Sequence, residues 1–386
     1  MFKSVSICLL TIAVFSQIAS SAEGQVKIES IQIPASLRDR PQSDQDQYRV
    51  ETAIKVAAEA AKKQNRNVTV FFSTGKLIRN SKNSSQESTT NSGYEFNPKI
   101  YRLKRPILVP GGVVLAGEGL GRREARLVWE KCESNSALLI FRNGFGGGLR
   151  NLDIRLGPKL ESKTNVTGIY LHSQSSAVFK DFAIDMSVVG ADSNGMVIAR
   201  NKTNNESLKI QNFNIRAARP VIVMSGDNLI FENFDCLCSS PVSSNGISAI
   251  FQNWNGNVPA NWTIGPGSGQ KGDHAIALTG ISEKTGDALT IIGFRWEQGT
   301  SKGPAWLFDI DRRSKKNDRL HFAESITMIN CRNGRQAGSP DYVSVLLPGN
   351  SFGNVNIIGG YLPGKMEIGK GRRKNNTHVN TGLGKR

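Results

Sequence analysis

A recurring pair of residues, one small and polar and the next large and apolar, constrains this fold more than any other feature. The pair recurs between residues 151 and 357 at intervals of 20 to 40 residues. The polar positions are Asn151, Asp181, Asn212, Asn233, Asn253, Gly293, Asn330 and Asn356. The apolar positions are Leu152, Phe182, Phe213, Phe234, Trp254, Phe294, Cys331 and Ile357. Such a repeat is typical of a solenoid in which each coil buries its apolar side against the next.

The chemistry of the pair predicts strands that bend at the polar residue. Asn adopts the left-handed backbone conformation at less cost than other residues except Gly. Stacked Asn side chains can also hydrogen-bond along the solenoid axis. A second strand precedes most pairs, as in Gly168–His172 and Gly195–Ala199. We therefore predict an all-β chain, a right-handed parallel β-helix with coils of unequal length.

The region before the repeats predicts a cap for the solenoid. Val50, Ile54, Ala57 and Ala61 recur at helical spacing within residues 47–63. An open solenoid end exposes apolar core and unpaired strand edges, which a helix can cover. We expect a cap helix over about 47–63, followed by a strand at 68–72.

This order of segments resembles the pectate-lyase superfamily of β-helices. The resemblance lies in the Ala-rich helix, the strand ending at Gly75, and residues 106–119, PILVPGGVVLAGEG. It covers roughly residues 44–156, and the repeats extend it to about 364. It departs at Ser73, where the family often has Pro, and in a polar insert between Gly75 and Tyr101. The resemblance implies the β-helix fold, whereas the superfamily includes lyases, glycosidases, phage tailspikes and proteins without known catalysis.

Composition sets the expected compartment and domain organisation. Residues 1–22 have a positive start, an apolar stretch and small residues before Ala22, which predicts a secretory signal peptide. We expect one β-helix domain over 23–364, a basic disordered tail over 365–386, and no transmembrane segment. The four cysteines beyond the signal are too few for a disulfide scaffold, and we expect them to be buried thiols.

The net charge of +17 predicts an anionic partner. For an exported protein that partner is an acidic or sulfated polysaccharide or an anionic surface lipid, of which we expect the acidic polysaccharide. Nucleic acid is not expected, because no motif that recognises nucleic acid is present. The sequence leaves the oligomeric state open.

The most charged stretch at a strand end is the first candidate site. Asp309 and Asp311 are expected on one strand face, and Arg312, Arg313, Lys315 and Lys316 follow. Two carboxylates can act as acid and base on a glycosidic bond or bind Ca²⁺. Uronate β-elimination needs a cation that neutralises the sugar carboxylate and a base that removes the acidified proton. This cluster can supply both. We assign Asp309, Asp311, Arg312 and Arg313 as catalytic and Lys315 and Lys316 as substrate-binding; the alternative is a solvated charged loop. Ca²⁺ is the one cofactor that these residues suggest, and it is not required by the sequence.

Aromatic and histidine side chains form the second candidate set. Alternation along the strand that contains Ile169 and Leu171 places Tyr170 and His172 outside, where they can bind sugar. The alternative for His172 is an ordinary surface histidine. Trp262 and Trp306 are further candidates for stacking on sugars, whereas Trp254 and Trp296 are expected in the core.

Two classes of function fit these observations. The first is a secreted protein that binds an acidic polysaccharide, with or without cleaving it. Cleavage by β-elimination is favoured over hydrolysis because basic charge suits a uronate substrate, and the motifs of polygalacturonase-type hydrolases are absent. The second is a noncatalytic extracellular β-helix that adheres to polyanions or forms a trimeric tailspike-like appendage. An enzyme needs convergent side chains in one groove, whereas a binder needs only diffuse charge.

Overall fold

The computed structural model describes residues 24–79, 94–119, 124–158, 160, 165–187, 192–199, 205–239, 247–254, 259–282, 287–297, 304–312, 325–334, 343–347, 354–368 and 376–380. The predicted signal peptide lies outside these ranges. Within several strands the structure describes the backbone alone, including the strand positions of Asp311 and Arg312.

The described chain consists almost entirely of short strands after one long helix. The helices are α1 (Ala35–Arg38) and α2 (Gln42–Gln64), with a 3-10 turn at Ile28–Ser30. The strands of the first half are β1 (Gln25–Lys27), β2 (Val68–Phe72), β3 (Lys76–Arg79), β4 (Tyr94–Asn97), β5 (Lys99–Leu103), β6 (Ile107–Pro110), β7 (Val113–Gly117), β8 (Ala125–Trp129), β9 (Ser136–Phe145), β10 (Gly148–Arg150), β11 (Leu152–Leu156), β12 (Val166–Ser175), β13 (Val178–Asp185), β14 (Asn194–Ala199) and β15 (Lys209–Ala217). The strands of the second half are β16 (Arg219–Val223), β17 (Ile230–Cys238), β18 (Ala249–Asn253), β19 (Trp262–Ile264), β20 (Gly267–Gln270), β21 (His274–Ser282), β22 (Ala288–Ile292), β23 (Phe294–Glu297), β24 (Trp306–Arg312), β25 (Ser325–Ile329), β26 (Arg332–Asn333), β27 (Val343–Leu347), β28 (Asn354–Ile358), β29 (Lys365–Ile368) and β30 (Asn376–Asn380).

These strands form two long parallel sheets and one short hairpin. The ten-stranded sheet contains β6, β9, β12, β14, β16, β18, β21, β24, β27 and β29 in that spatial order. All other strands except β3 and β4 belong to an eighteen-stranded parallel sheet, and β3 pairs with β4 in an antiparallel hairpin. The chain alternates between the two large sheets as it advances, so it is a right-handed parallel β-helix, as the sequence predicted.

The polar positions of the repeat, which we call the polar column, mark the bends of the eighteen-stranded sheet. Six of its eight positions have φ between +51° and +56°, the left-handed conformation expected there: Asn151, Asp181, Asn212, Asn233, Gly293 and Asn330. The expected stacking bond occurs between Asn212 Nδ2 and Asp181 Oδ1 at 3.0 Å. These bends follow from the residue itself, since few side chains tolerate that conformation.

The predicted column is wrong at Asn253 and Asn356. Asn253 ends β18 in the ten-stranded sheet, where its side chain pairs with the backbone of Thr279 on β21 (2.8 and 2.9 Å). The bend of that coil lies instead at Gly265 and Pro266, between β19 and β20. Asn356 lies within β28, and that coil bends at Gly359 and Gly360. In both coils glycine makes the bend, and a polar–apolar dipeptide elsewhere in the coil matches the motif by chance.

The apolar column forms a stack of rings inside the solenoid. The rings of Phe182, Phe213 and Phe234 lie 5.6 and 5.5 Å apart, nearly parallel. Gly267 takes the next position, and a Cβ there would come within 2.5 Å of the Phe234 ring. Phe234 therefore reaches over the missing side chain to meet Phe294 edge-on at 5.0 Å. Stacked aromatic rings of this kind supply much of the apolar burial that holds successive coils together.

The helix α2 closes the amino-terminal end of the solenoid. It buries Val50, Ile54, Ala57 and Ala61, as their spacing predicted, and ends at Asn65 in the left-handed conformation. At the exposed edge next to β5, Asp46 accepts a hydrogen bond from the backbone N–H of Arg102 (2.9 Å). The side-chain oxygen of Gln47 accepts a hydrogen bond from the backbone N–H of Lys104 (3.0 Å). The helix thus covers apolar core and also satisfies edge donors that would otherwise be unpaired.

The carboxyl-terminal region contains two strands where a disordered tail was expected. Backbone pairing joins β29 (Lys365–Ile368) to β27, and β30 (Asn376–Asn380) to β28. Among the described residues, Cys132, Cys236, Cys238 and Cys331 are free thiols, and the last three are buried. None of the described helices is both long and apolar enough to cross a membrane.

Candidate functional site

The outer face of the ten-stranded sheet brings together one of the predicted residue sets. Tyr170 on β12 is level with Ile140 on β9 and Val197 on β14. His172, two residues on, is level with Arg142 and Ala199. Because side chains alternate along a strand, the buried Ile169 and Leu171 face the core and these residues face outward. Tyr170 and His172 therefore occupy the outer face that the sequence predicted.

Tyr170 and His172 form a stacked pair that is half-buried. Their ring centres are 6.3 Å apart and the ring planes differ by 22°. The Nδ1 atom of His172 is buried and has no hydrogen-bond partner among the described residues. Arg142, level with His172 on the neighbouring strand, is exposed. An aromatic ring, an imidazole and a guanidinium thus share a small area of surface.

The same face continues into an apolar cluster outside the core. Val197, Ala199 and Ile222 are buried on it, and Tyr170, Met224 and Trp254 pack against them. Trp254 is thus partly exposed on the outer surface, and its predicted place in the core is wrong. The reason is the misplaced motif at Asn253, since Trp254 follows a strand of the ten-stranded sheet. We call Tyr170, His172, Val197, Ile222 and Trp254 the aromatic platform.

A clamped arginine lies at the edge of the platform. Arg219 Nε donates to Asn194 Oδ1 (2.8 Å), and one of its terminal nitrogens donates to the carbonyl of Asp192 (2.7 Å). Another terminal nitrogen is 3.6 Å from the Asp192 carboxylate. The guanidinium carbon is 5.9 Å from the centre of the Trp254 ring, within cation–π range. Burial lowers the pKa of Arg219 and the Asp192 carboxylate opposes this shift, so the group stays cationic.

The arginine and the tryptophan meet above the middle of the strands. By register, Arg219 at the start of β16 is level with residue 249, five positions before Trp254. Five positions span about 16 Å, so both side chains must lie along the sheet face to approach each other. Ile222 and Gln252 are adjacent in the intervening register and are only 1% and 3% exposed, although they face outward. The Trp254 indole packs against the cluster that contains Ile222 and so provides part of the cover on this face.

Among the described residues next to the platform, Gln252 has a buried amide without hydrogen bonds. Its Oε1 and Nε2 are both buried, and neither has a hydrogen-bond partner among the described residues. Its neighbours in register are Ile222 and Ala277, both buried and apolar. Buried amides in native proteins are nearly always paired, so this one is an exception that needs a reason.

The predicted catalytic cluster lies further along the same sheet. Asp309 on β24 is exposed and level with Thr279 on β21. Five strand steps separate β24 from β12, which is about 24 Å at the usual strand spacing. Asp309 and His172 therefore cannot act on one glycosidic bond.

The other members of that cluster remain predictions. The backbone positions of Asp311 and Arg312 are level with Ile281 and Ser282, and their side chains are not among those described. Arg313, Lys315 and Lys316 lie outside the described residues.

The remaining predicted stacking residues are inaccessible to sugars. Trp262 and Trp306 are buried in the core, as is Trp296, for which burial was predicted. His274 is also buried, and its Nδ1 is 2.5 Å from the carbonyl of Pro304. No three His, Cys, Asp or Glu side chains gather into a possible metal site within the described part of the chain. Ca²⁺ binding at Asp309 and Asp311 therefore stays a prediction.

Sequence reasoning missed Arg219, Gln252 and the exposed position of Trp254. Their neighbourhood depends on the register between β14, β16 and β18, which come from separate parts of the chain. The only local signal was the strand 220–224, whose alternation places Ile222 outward while it remains apolar.

Comparisons with known proteins were made by family model, by sequence and by structure. No protein-family model matches the chain, and no curated protein matches it. Among solved structures, ORF18 of Geobacillus virus E2 aligns with a TM-score of 0.44 and 12% identity over 92% of this chain. This chain spans 65% of the length of that phage protein. The A-module of the mannuronan C-5 epimerase AlgE4 of Azotobacter vinelandii aligns with a TM-score of 0.35 and 12% identity, over 92% of this chain and 99% of that module.

Proposed function

We propose that this protein binds an acidic polysaccharide across the aromatic platform on the outer face of the ten-stranded sheet. The observation that carries the proposal is the grouping of half-exposed rings, Tyr170, His172 and Trp254, with the cations Arg142 and Arg219 on one face. Sugar rings present apolar C–H faces to aromatic rings, and uronate or sulfate groups pair with guanidinium. The net charge of +17 attracts polyanions to the whole surface, and the platform gives them a place to dock.

The reaction that this surface supports best is β-elimination of a uronate. A base must remove the proton beside the sugar carboxylate, and the electron pair of that C–H bond forms a C4–C5 double bond as the glycosidic C4–O bond breaks. The departing oxygen needs a proton, and a cation must neutralise the carboxylate. We assign His172 as the base, the Tyr170 hydroxyl as the proton donor and Arg142 as the cation. Rings 6.3 Å apart can both reach one sugar.

We further propose that the protein acts outside the cell, because residues 1–22 have the features of an export signal. Mass spectrometry of protein recovered from the culture medium should give a chain that begins at residue 23. A chain that retains residue 1 and stays within the cell would contradict this part of the proposal.

A binding and cleavage screen tests the function. The full chain is incubated with pectate, alginate, chondroitin and sulfated galactans, and the affinity, the ultraviolet absorbance of unsaturated uronate and new reducing ends are measured. For the polymer that binds, Tyr170→Ala should weaken binding by about thirtyfold, as for a central aromatic contact. Tyr170→Phe should keep most of the affinity and lose the absorbance signal.

The matched control is Asp309→Ala, on the same sheet face but about 24 Å away. Loss of the absorbance signal in Asp309→Ala with normal product in His172→Ala would move the catalytic centre to β24. Binding without any new double bond or reducing end would leave a noncatalytic polyanion binder. Absence of binding to every polymer would contradict the proposal as a whole.

A further inference from the structure

The buried amide of Gln252 makes no hydrogen bond to any residue that the structure describes. An amide carries two N–H donors and an accepting oxygen, and leaving them unpaired in an apolar setting costs stability. A leucine would fit the neighbours Ile222 and Ala277 better. The free protein therefore keeps a polar group where an apolar one would be more stable.

The other large sheet shows how a glutamine is ordinarily satisfied in this fold. Gln211 on β15 faces outward and donates to Glu232 Oε2 on the neighbouring strand (2.6 Å). Both residues are glutamines on outer sheet faces, and only Gln252 lies beside exposed aromatic rings. The difference between them points to the platform as the reason for the unpaired amide.

Trp254 lies two residues beyond Gln252 in the chain, and it packs against the cluster that contains Ile222, the neighbour of Gln252 in register. Trp254 is partly exposed, and it packs against the platform from the surface rather than from the core. The other four tryptophans, Trp129, Trp262, Trp296 and Trp306, are at most 2% exposed. A ligand that stacks on the platform can displace the indole without disturbing the core, and this uncovers the amide.

We propose that Gln252 is a specificity-determining residue that reads two neighbouring hydroxyls of one sugar ring once the ligand displaces the Trp254 indole. This inference rests on the proposed binding of polysaccharide at the platform. Nε2–H donates to one hydroxyl oxygen, and Oε1 accepts from the adjacent hydroxyl. A neutral group that both donates and accepts matches vicinal hydroxyls, whereas Arg142 and Arg219 match the acidic groups.

The deciding variant is Gln252→Leu, which keeps the bulk and removes the amide. We expect its Tm to rise by about 2 °C, because an unpaired buried polar group disappears. We expect its affinity for the bound polyuronate to fall by about tenfold, because two hydrogen bonds to the sugar are lost. The same polymer with acetylated ring hydroxyls should bind wild type more weakly than the free polymer, and the variant should not distinguish the two.

Gln211→Leu is the matched control, and its affinity and its preference for the free polymer should equal those of wild type. Binding should also change the acrylamide quenching of tryptophan fluorescence in wild type and not in Trp254→Phe. Unchanged affinity in Gln252→Leu, retained discrimination against acetylation, or a lowered Tm would each overturn the inference. Constant quenching on binding would overturn the displacement of Trp254.

Failure of this inference can be told apart from failure of the proposed function. If Tyr170→Ala weakens binding and Gln252→Leu does not, the platform binds sugar without reading its hydroxyls. If neither variant changes the affinity, the polymer does not bind at the platform.

Discussion

The two large sheets of this solenoid share one core, yet their outer faces are built on different principles. On the eighteen-stranded sheet several charged and polar side chains pair with one another. Asp153 accepts from Arg126 and Arg155 (2.9 and 2.8 Å), and Asp235 accepts from Asn214 and Ser268 (3.1 and 2.7 Å). On the ten-stranded sheet the platform carries aromatic and apolar side chains on the outer face, and beside them His172 Nδ1 and both amide atoms of Gln252 lack hydrogen-bond partners among the described residues.

If the platform binds polysaccharide as proposed, this contrast separates a structural face from a binding face. A side chain that already has its partners contributes to stability and offers little to a ligand. A half-buried ring or an unpaired buried amide lowers the stability of the free protein and can gain from binding. Substitutions on the first face should therefore change stability, and substitutions on the second should change affinity.

The largest stability effect is expected from Asp153→Ala on the eighteen-stranded sheet. The Asp153 side chain is fully buried between two arginines whose side chains are 22% and 34% exposed. Its removal leaves two cations facing each other, and we expect a loss of about 2 kcal/mol, since the arginines can regain water. Urea unfolding measures the loss, and affinity for the polysaccharide should stay unchanged. The exposed Asp235 is the control, and Asp235→Ala should change stability by less than about 0.5 kcal/mol. A fall in affinity for Asp153→Ala would erase the distinction between the faces.

A pair of cation–π contacts gives the next test. Arg219 lies 5.9 Å from the Trp254 ring on one face, and Arg150 lies 5.9 Å from the Phe71 ring on the other. Trp254→Ala should lower the affinity about tenfold, because the indole, once shifted away from Gln252, still supplies a stacking surface for the sugar at the platform. Phe71→Ala removes a comparable contact and should leave the affinity unchanged. Equal losses from both would indicate that binding follows overall charge rather than the platform.

The smallest effect is expected in the pH dependence of stability, at the start of β21 in the ten-stranded sheet. Burial lowers the pKa of His274. The hydrogen bond to the Pro304 carbonyl and the nearby Asp273 carboxylate raise this pKa, but by less. Because the pKa of His274 is lower in the folded state, the unfolded state binds protons more readily as the pH falls. The contribution of His274 to the free energy of unfolding is therefore full above about pH 6.5 and is lost as the pH falls below it. His274→Gln should therefore lose less stability than wild type between pH 7 and pH 5. Parallel unfolding curves for the two proteins over that range would show that His274 does not titrate in this way.

The sequence predicted what depends on single residues and missed what depends on register. The bends at Asn212 and Asn233 were predictable because few residues adopt a left-handed backbone. The outward positions of Tyr170 and His172 followed from alternation within one strand. Trp254 was assigned to the core because its dipeptide imitates the repeat, although its strand belongs to the other sheet.

The candidate site was predictable only in part for the same reason. Arg219 and Trp254 are 35 positions apart in the chain, and their contact requires the pairing of β16 with β18. Local patterns carry no information about that pairing in a solenoid whose coils differ in length. That Gln252 has no hydrogen-bond partner in the described part of the chain is likewise a property of its surroundings rather than of its own residue type.

The helix α2 has a consequence for how this molecule is made. Its side chains Asp46 and Gln47 accept hydrogen bonds from backbone N–H groups at the amino-terminal edge of the solenoid. Once the early coils have formed, their other edge is the one that remains open for the next coil to pair with. Each later coil then needs only the preceding one on which to pair. Synthesis delivers the amino-terminal end first, so the solenoid can be wound vectorially, coil by coil, in the order in which the chain emerges. A deletion within α2 should therefore slow folding along the whole solenoid, whereas removal of the last coil should leave the earlier coils able to form.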